Sequence, residues 1–323
     1  MESLPSEDCI LQFATQKDMD LKSDVMLSHQ KCKSGNDKML FYLYEKFNKP
    51  AKFTDLIYLT GLVQAECVAN GAEHWRRNKG RCNGALWWQM NDCWGAPSWS
   101  SVDYFGKWKP LMYAGKRIFE PITVSLRQTD GGFELYVLND TLNDEEYTAV
   151  VSLKDFTGKE LRSKSLLVNS NAGKAQKAFF ISAKGLKKST CFAQAELRKN
   201  NKAVISRTAI MLPERKLKLQ HAKITIHLCK NEMTLESNTY ARSVFVDIKG
   251  ESVPLSDNCF DLVPGEKKTI HLEKDCKIDP KSISVKCVNN ITYAGSDAER
   301  IRFRKAFSAQ PMNIANKIYY SIS

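Results

Sequence analysis

One segment of the chain concentrates the residue types that bind sugars. Residues 84–119 contain five of the six tryptophans, and Asn91 and Asp92 lie among them. An indole packs against the apolar face of a pyranose ring, while neighbouring amide and carboxylate groups can bind its hydroxyls. The segment therefore predicts a carbohydrate pocket with Trp88, Asn91, Asp92 and Trp94 as substrate-binding residues. A tryptophan-rich core junction is the alternative interpretation.

The run GALWWQMND at residues 84–92 predicts a short buried strand that presents these side chains. Successive side chains of a strand point to opposite faces, so Trp88 and Met90 are expected on one side and Trp87 and Gln89 on the other. Asp92 comes at the end of the strand. There its carboxylate could accept hydrogen bonds from a substrate, support a neighbouring group, or cap a helix.

Three helices are expected to position this strand. Apolar residues recur at helical spacing over 37–47 and from Thr54 to about Arg77, and a third helix starts at Pro110 and ends before Pro121. Helices on both sides of a short buried strand suggest the closing units of an α/β layer or barrel.

After Pro121 the helical period gives way to short strands separated by turn residues. Two blocks of about 90 and 75 residues, each with about six or seven strands, are typical of two immunoglobulin-like sandwiches. The predicted fold class is therefore α/β plus all-β. The expected domains are 1–121, 122–213 and 214–292, followed by an irregular tail over 293–323.

The composition argues against several functional classes. The formal net charge is +12, but the 48 Lys and Arg residues are scattered and no nucleic-acid-binding motif appears. The first residues, MESLPSEDC, are polar and unlike a signal peptide, and no apolar run reaches the roughly 20 residues of a membrane helix. We therefore expect neither a nucleic-acid partner nor a membrane partner.

The ten cysteines contain no C-x-x-C pair, and no histidines stand at zinc-finger spacing. We expect no metal and no cofactor. Disulfides are compatible with a secretory parent protein. The triplets Asn139-Asp-Thr and Asn290-Ile-Thr make Asn139 and Asn290 glycosylation candidates and point weakly to the same route.

Four stretches together resemble a known family. WWQMND-x-W, followed by APSWSS and DYFGKWK, is similar to the eighth barrel strand and helix of β-mannosidases, which are family-two glycoside hydrolases. GNDKMLFYLYEKF and YLTGLVQAECVANGAEHWRR resemble the seventh-helix region of these enzymes, and SDNCFDLVPGEKKTIHL resembles their last sandwich. The resemblance extends from residue 1 to about residue 290.

This resemblance implies the last units of a (β/α)₈ TIM barrel followed by two sandwiches. It also implies retaining exo-hydrolysis of terminal β-D-mannose from oligosaccharides or N-glycan cores, which needs two carboxyl groups about 5–5.5 Å apart. MESLP resembles the end of the family's nucleophile motif, S-E-F-G-(M/F)-(Q/E)-S-(L/F)-P. Both catalytic glutamates are then expected upstream of Met1, and Glu2 occupies the variable position beyond the nucleophile.

The chain is accordingly expected to be a fragment, inactive by itself, whose partners are a β-mannoside oligosaccharide and the missing N-terminal part of the same enzyme. A lysosomal or secretory parent is implied. Two units cannot close a barrel, so Trp88 should lie on an unpaired edge, and helices near Leu62 and Met112 should expose faces. The alternatives are a non-catalytic glycan- or partner-binding sandwich protein and a fragment of an exo-β-glucosaminidase.

Overall fold

The structure is a computed structural model and describes residues 1–250, 252, 254–272 and 279–308. The helices are α1 Glu7–Ile10, α2 Asp24–His29, α3 Gly35–Lys46, α4 Phe53–Arg77, α5 Pro110–Ile118 and α6 Asp297–Ser308. The strands of the first sandwich are β1 Ile122–Thr129, β2 Gly132–Asn139, β3 Glu145–Asp155, β4 Glu160–Ser170, β5 Ala175–Ser182, β6 Cys191–Lys199 and β7 Lys202–Ile210. Those of the second are β8 Ile224–Cys229, β9 Glu232–Ser237, β10 Ala241–Ile248, β11 Phe260–Leu262, β12 Lys268–His271 and β13 Ile283–Lys286.

The first sandwich packs a three-stranded sheet, β1-β2-β5, against a four-stranded sheet, β4-β3-β6-β7. All pairings are antiparallel, and the inward side chains of both sheets form one apolar core that includes Phe133, Val151 and Leu197. The β6–β7 hairpin turns at Asn200 and Asn201, both with positive φ.

The second sandwich packs the sheet β11-β10-β13 against the sheet β12-β9-β8 around Met233, Val244 and Ile270. Aromatic rings join the two sandwiches: Tyr240 stacks on Phe192 with ring centres 4.1 Å apart, and its backbone N–H donates to the Phe156 carbonyl. The two predicted strand blocks are thus two sandwiches in contact. The predicted domain boundaries themselves stay a prediction.

Helix α4 buries a face that was expected from the sequence to be exposed. Leu62 of α4 is buried together with Leu43 and Phe47 of the α3 region, in a cluster that also includes Val288 from beyond β13. The Tyr58 hydroxyl donates to the Ser243 carbonyl of β10 at 2.5 Å. The expectation that the helix around Leu62 exposes an unpartnered face is therefore wrong, because α3 and the second sandwich cover it.

The end of the described chain also differs from the expectation of an irregular tail. Residues 297–308 form helix α6, which docks on α3 through Phe307 and Phe41, with ring centres 5.0 Å apart, and through an Arg300 hydrogen bond to the Tyr44 carbonyl. Residues 309–323 lie outside the described range. Within the described residues, no helix combines the length and the apolar character needed to cross a membrane.

Candidate functional site

The tryptophan-rich run does not form the predicted buried strand. The backbone over 84–90 belongs to no named strand, and Asn91 makes only an isolated bridge to Val102. Among the described residues, 85–88 find no backbone–backbone hydrogen-bond partner. A strand forms only when a neighbour satisfies its N–H and C=O groups, and the described part of the chain places no strand beside this segment.

The predicted alternation of side chains is nevertheless present. Leu86, Trp88 and Met90 are exposed by 96%, 75% and 56%. Trp87 points the other way, onto α5, where its ring stacks on Phe119 with centres 5.6 Å apart. Gly115 makes this contact possible, since a Cβ there would lie 2.9 Å from the indole. The segment 84–90 therefore presents an open apolar face, here called the exposed row (Leu86, Trp88 and Met90).

Asn91 and Trp94 lie beyond the exposed row at the surface. The Asn91 side-chain amide donates to the Asp92 carbonyl at 3.2 Å. The Trp94 ring stacks on His29 with centres 4.5 Å apart, and His29 stacks in turn on Phe13 at 4.0 Å. One face of the Trp94 indole is therefore already occupied by protein, which leaves Trp88 as the more open platform.

Asp92 does not lie at the surface, contrary to its predicted contact with substrate. It is buried, with 7% exposure, and its carboxylate accepts hydrogen bonds from Ser100 Oγ at 2.6 Å, Ser98 Oγ at 3.0 Å and Gln89 Nε2 at 3.3 Å. These serines belong to the APSWSS stretch. Asp92 therefore holds that loop beneath the exposed row and has no oxygen directed at a ligand.

A second buried carboxylate shapes the next loop. Asp103 accepts backbone hydrogen bonds from Phe105 at 3.1 Å and Lys107 at 2.9 Å, and its other oxygen accepts the Ser6 hydroxyl at 2.5 Å. The loop exposes the rings of Tyr104 and Phe105 next to the Asn91–Val102 bridge. Sequence reasoning did not single out these two rings, although the motif DYFGKWK contains them.

Lys109 supplies the positive charge beneath this surface. Its ammonium donates to Ser100 Oγ at 3.2 Å, between the carboxylates of Asp92 and Asp103. Burial lowers the pKa of Lys109 to about 8, although the two carboxylates act in the opposite direction. The buried polar nest (Asp92, Ser98, Ser100, Asp103 and Lys109) therefore fixes the backbone from which the exposed aromatics project.

The first residues of the chain close one side of this nest. Ser3 and Ser98 exchange two backbone hydrogen bonds, and the Ser3 hydroxyl donates to Gln64 at 2.7 Å. Glu2 is buried, and its Oε1 has no partner among the described atoms. Burial raises the pKa of the Glu2 carboxyl to about 7. The assignment of Glu2 to the position beyond the nucleophile stays a prediction.

The two glycosylation candidates differ in exposure, and only Asn139 conflicts with the sequence expectation. Asn139 has 0% exposure, and its side-chain amide donates to the carbonyls of Asn143 and Ser170. A glycan at Asn139 is incompatible with this fold. Asn290 is exposed, but its amide donates to the Ala222 carbonyl at 2.8 Å. The lysosomal or secretory location of a parent protein stays a prediction.

The cysteines give no sign of a shared site in the described part of the chain. The nine described cysteines are free thiols, and Cys276 lies outside the described residues. Among the described residues, no three His, Cys, Asp or Glu side chains stand close enough together to hold a metal ion.

Two family models match the sandwich region. Residues 131–215 match a mannosidase Ig/CBM-like domain, and residues 215–291 match an Ig-fold domain of mannosidases. Together they cover most of the two strand blocks, so the prediction of immunoglobulin-like sandwiches is confirmed. Neither model covers the helices or the exposed row.

Curated relatives match more of the chain. A β-mannosidase from Mus musculus is 30% identical over 293 residues, which cover 81% of this chain and 33% of that protein. One from Capra hircus is 34% identical over 174 residues, covering 50% of this chain and 20% of that protein. The chain thus spans at most about a third of the length of these relatives.

Solved structures agree with the sequence comparison. A β-D-mannosidase from Dictyoglomus thermophilum superposes with a TM-score of 0.80 at 25% identity, covering 90% of this chain and 36% of that one. The exo-chitosanase CsxA from Amycolatopsis orientalis superposes with a TM-score of 0.68 at 19% identity, covering 91% and 42%. The second likeness shows a shared fold alone.

Proposed function

This chain belongs to the β-mannosidase family of glycoside hydrolases, and on that premise we propose that residues 1–121 supply the end of a (β/α)₈ barrel and one wall of a pocket for terminal β-D-mannose. The observation that carries the proposal is the exposed row, in which Trp88 projects from an extended segment with an open edge. Such an edge can receive a neighbouring barrel strand, and a freely exposed indole can receive the apolar face of a sugar.

The carboxylates around the exposed row bear on which part of the enzyme supplies the catalytic groups. Retaining hydrolysis needs a nucleophile and an acid/base about 5–5.5 Å apart. The carboxylate oxygens of Asp92 and Asp103 accept hydrogen bonds from serine hydroxyls and backbone N–H groups. Glu2 is a single buried carboxyl group. We propose that this chain orients the sugar, while both catalytic carboxylates belong to another part of the polypeptide.

A chimera tests this proposal. The chain is assayed alone on an aryl β-mannoside and again after it replaces the corresponding part of the mouse relative. We expect no turnover from the chain alone and β-mannoside hydrolysis by the chimera. In the chimera, Trp88→Ala should lower kcat/KM by about 10- to 100-fold, which corresponds to about 1.4–2.7 kcal/mol of transition-state stabilisation. Trp75→Ala, which changes an exposed tryptophan on α4, should leave kcat/KM unchanged.

Two outcomes would overturn the proposal. Turnover by the chain alone that is abolished by Asp92→Asn would place the chemistry within the chain. A chimera that is inactive on the mannoside while the chain alone binds β-mannosides would favour a non-catalytic glycan-binding protein. Parallel assays on an aryl β-glucosaminide separate mannosidase from exo-β-glucosaminidase specificity.

A further inference from the structure

A second concave site shares no lining residue with the exposed row and is formed entirely by described residues. It is a cleft of about 580 Å³ between helix α4, strands β1 and β7, and the second sandwich. Its walls carry seven Arg and Lys residues against five Asp and Glu residues. The volume falls within the range of small-ligand sites. The cleft is therefore large enough for a small ligand, and its walls carry more cationic than anionic side chains.

Three guanidinium groups line up along one face of β1. Residues 123, 125 and 127 share that face and recur about every 6.8 Å, as alternate residues of a strand do. Arg207 donates to Thr123 Oγ1 at 3.3 Å, and Arg77 donates to Ser125 Oγ at 2.6 Å. Arg127 itself is the next residue on that face. We call these three the arginine row (Arg207, Arg77 and Arg127).

Arg207 is paired with Glu120, so the charge that is compensated only in part is that of Arg77 and Arg127. Glu73 accepts from Ser125 at 2.5 Å and from Arg77 at 3.5 Å, but burial raises its pKa and so favours its neutral form. Glu134, which pairs with Arg127 at 3.3 Å, is shared with Lys177 at 2.5 Å. Burial, with the neighbouring Arg127, also lowers the pKa of Arg77.

Two arginines of the row have N–H groups that make no hydrogen bond to described residues. Arg77 and Arg127 each use only Nη1 for hydrogen bonds to described residues, so the Nε and Nη2 groups of both have no hydrogen-bond acceptor in the described part of the chain. The Arg77 guanidinium also lies over the Tyr136 ring, 6.0 Å from its centre. Nε and one Nη form the fork with which a guanidinium binds two oxygens of one anion. We propose that the cleft binds an oxyanion, a phosphate or a sulfate, either free or esterified to a sugar, through Arg77 and Arg127.

Titration calorimetry of the full chain with inorganic phosphate tests this site. We expect saturable binding that Arg127→Gln weakens by about tenfold or more, because hydrogen bonds to a charged group are lost. Arg127→Lys should recover only part of the affinity, since it keeps the charge but lacks the fork. Arg127 is largely exposed, so its variants should fold, and an unchanged circular dichroism spectrum checks this.

Arg198→Gln is the matched control, because Arg198 is a half-buried arginine outside the cleft that is paired with its own glutamate, Glu196. Its phosphate affinity should equal that of the unmodified chain. A hexose 6-phosphate that binds more tightly than phosphate, while the free hexose does not bind, identifies an esterified ligand; equal affinities identify the free ion. Absence of saturable binding at millimolar phosphate, or equal weakening by Arg198→Gln and Arg127→Gln, would overturn the site.

Discussion

At the residue scale, Asp92 shows that a carboxylate beside a proposed sugar-binding surface can hold a loop in place instead of binding a ligand. Its sequence position, directly after a tryptophan-rich run, is equally compatible with both roles. The structure decides between them because Ser98 and Ser100 donate to one carboxylate oxygen and Lys109 lies behind Ser100. Removing the carboxylate would leave the two hydroxyls without this acceptor and the buried Lys109 ammonium without one of its neighbouring negative charges.

We therefore predict that Asp92→Ala lowers the free energy of unfolding by about 2–4 kcal/mol, the range for stripping a partner from buried polar and charged groups. Urea denaturation measures the change. Asp130→Ala, at an exposed position, should stay within about 0.5 kcal/mol of the unmodified chain. A loss at Asp92 as small as that at Asp130 would contradict a structural role for the buried polar nest.

Glu2 gives a prediction about pH. Its folded pKa of about 7 lies above the ordinary value of 4.5, so between these pH values the folded chain retains a proton that the unfolded chain has released. Stability therefore falls as the pH rises through this window. Glu2→Gln removes the titration, and its stability relative to the unmodified chain should rise by about 3 kcal/mol across the window. Denaturation at several pH values measures the difference.

Glu146→Gln, at an exposed position, is the control for that experiment. Its stability relative to the unmodified chain should be the same at each pH. A constant difference for Glu2→Gln as well would show that Glu2 ionises as readily in the folded chain as in the unfolded one.

At the scale of elements, two neighbouring parts of residues 1–121 differ in how their backbones are satisfied. Helix α4 makes its own hydrogen bonds and buries Leu59 and Leu62 against α3 and the second sandwich. Residues 85–88 depend on a neighbouring strand for their backbone hydrogen bonds and make none among the described residues. A helix can thus be stable where an isolated strand cannot.

Hydrogen exchange should separate these two elements. We predict that amides of Leu59–Val63 in α4 exchange slowly, while those of residues 85–88 exchange nearly as fast as in an unfolded peptide. Mass spectrometry of peptic fragments measures both in one experiment. In the chimera described above, the amides of 85–88 should become protected. Strong protection of 85–88 in the monomeric chain alone would contradict the open edge.

At the scale of the whole molecule, a buried charge cluster holds the helical segment and both sandwiches together. Arg242 of β10 pairs with Asp261 at 3.0 Å and with Glu214 at 3.2 Å, and Thr208 of the first sandwich donates to Asp261 at 2.6 Å. Lys46 of α3 lies 3.9 Å from Glu214. Although burial opposes its ionisation, Arg242 holds the pKa of Asp261 below its usual range.

Because Arg242 is the shared cation, Arg242→Ala should destabilise the protein by about 3–5 kcal/mol, the range for breaking a buried ion pair. Calorimetry should show the loss as a lower unfolding temperature, and separate transitions for the sandwiches would indicate that their coupling depends on this cluster. Arg302→Ala, on the exposed side of α6, is the control and should change stability by no more than about 0.5 kcal/mol. Equal effects of the two substitutions would contradict the role of the cluster.

The sequence by itself determined the features that depend on local spacing. Apolar periodicity located α3, α4 and α5 within a few residues, the change of pattern at Pro121 separated the helices from the two strand-rich blocks, and strand alternation placed Trp87 opposite Trp88. The motifs identified the family, because they combine residue identity with order along the chain.

Only the tertiary structure decided whatever depends on a distant partner. In the structure, residues 85–88 pair with no neighbouring strand, and Asp92 accepts hydrogen bonds from Ser98 and Ser100. The Asn139 amide is buried and donates to the Ser170 carbonyl. Leu62 is covered by a sandwich that lies more than a hundred residues away in the sequence. The fold also aligned Arg77 with Arg127 across 50 positions of sequence, which no local pattern records. Burial and hydrogen-bond satisfaction are properties of a neighbourhood in space, and periodicity along the chain reports only which face a side chain is on.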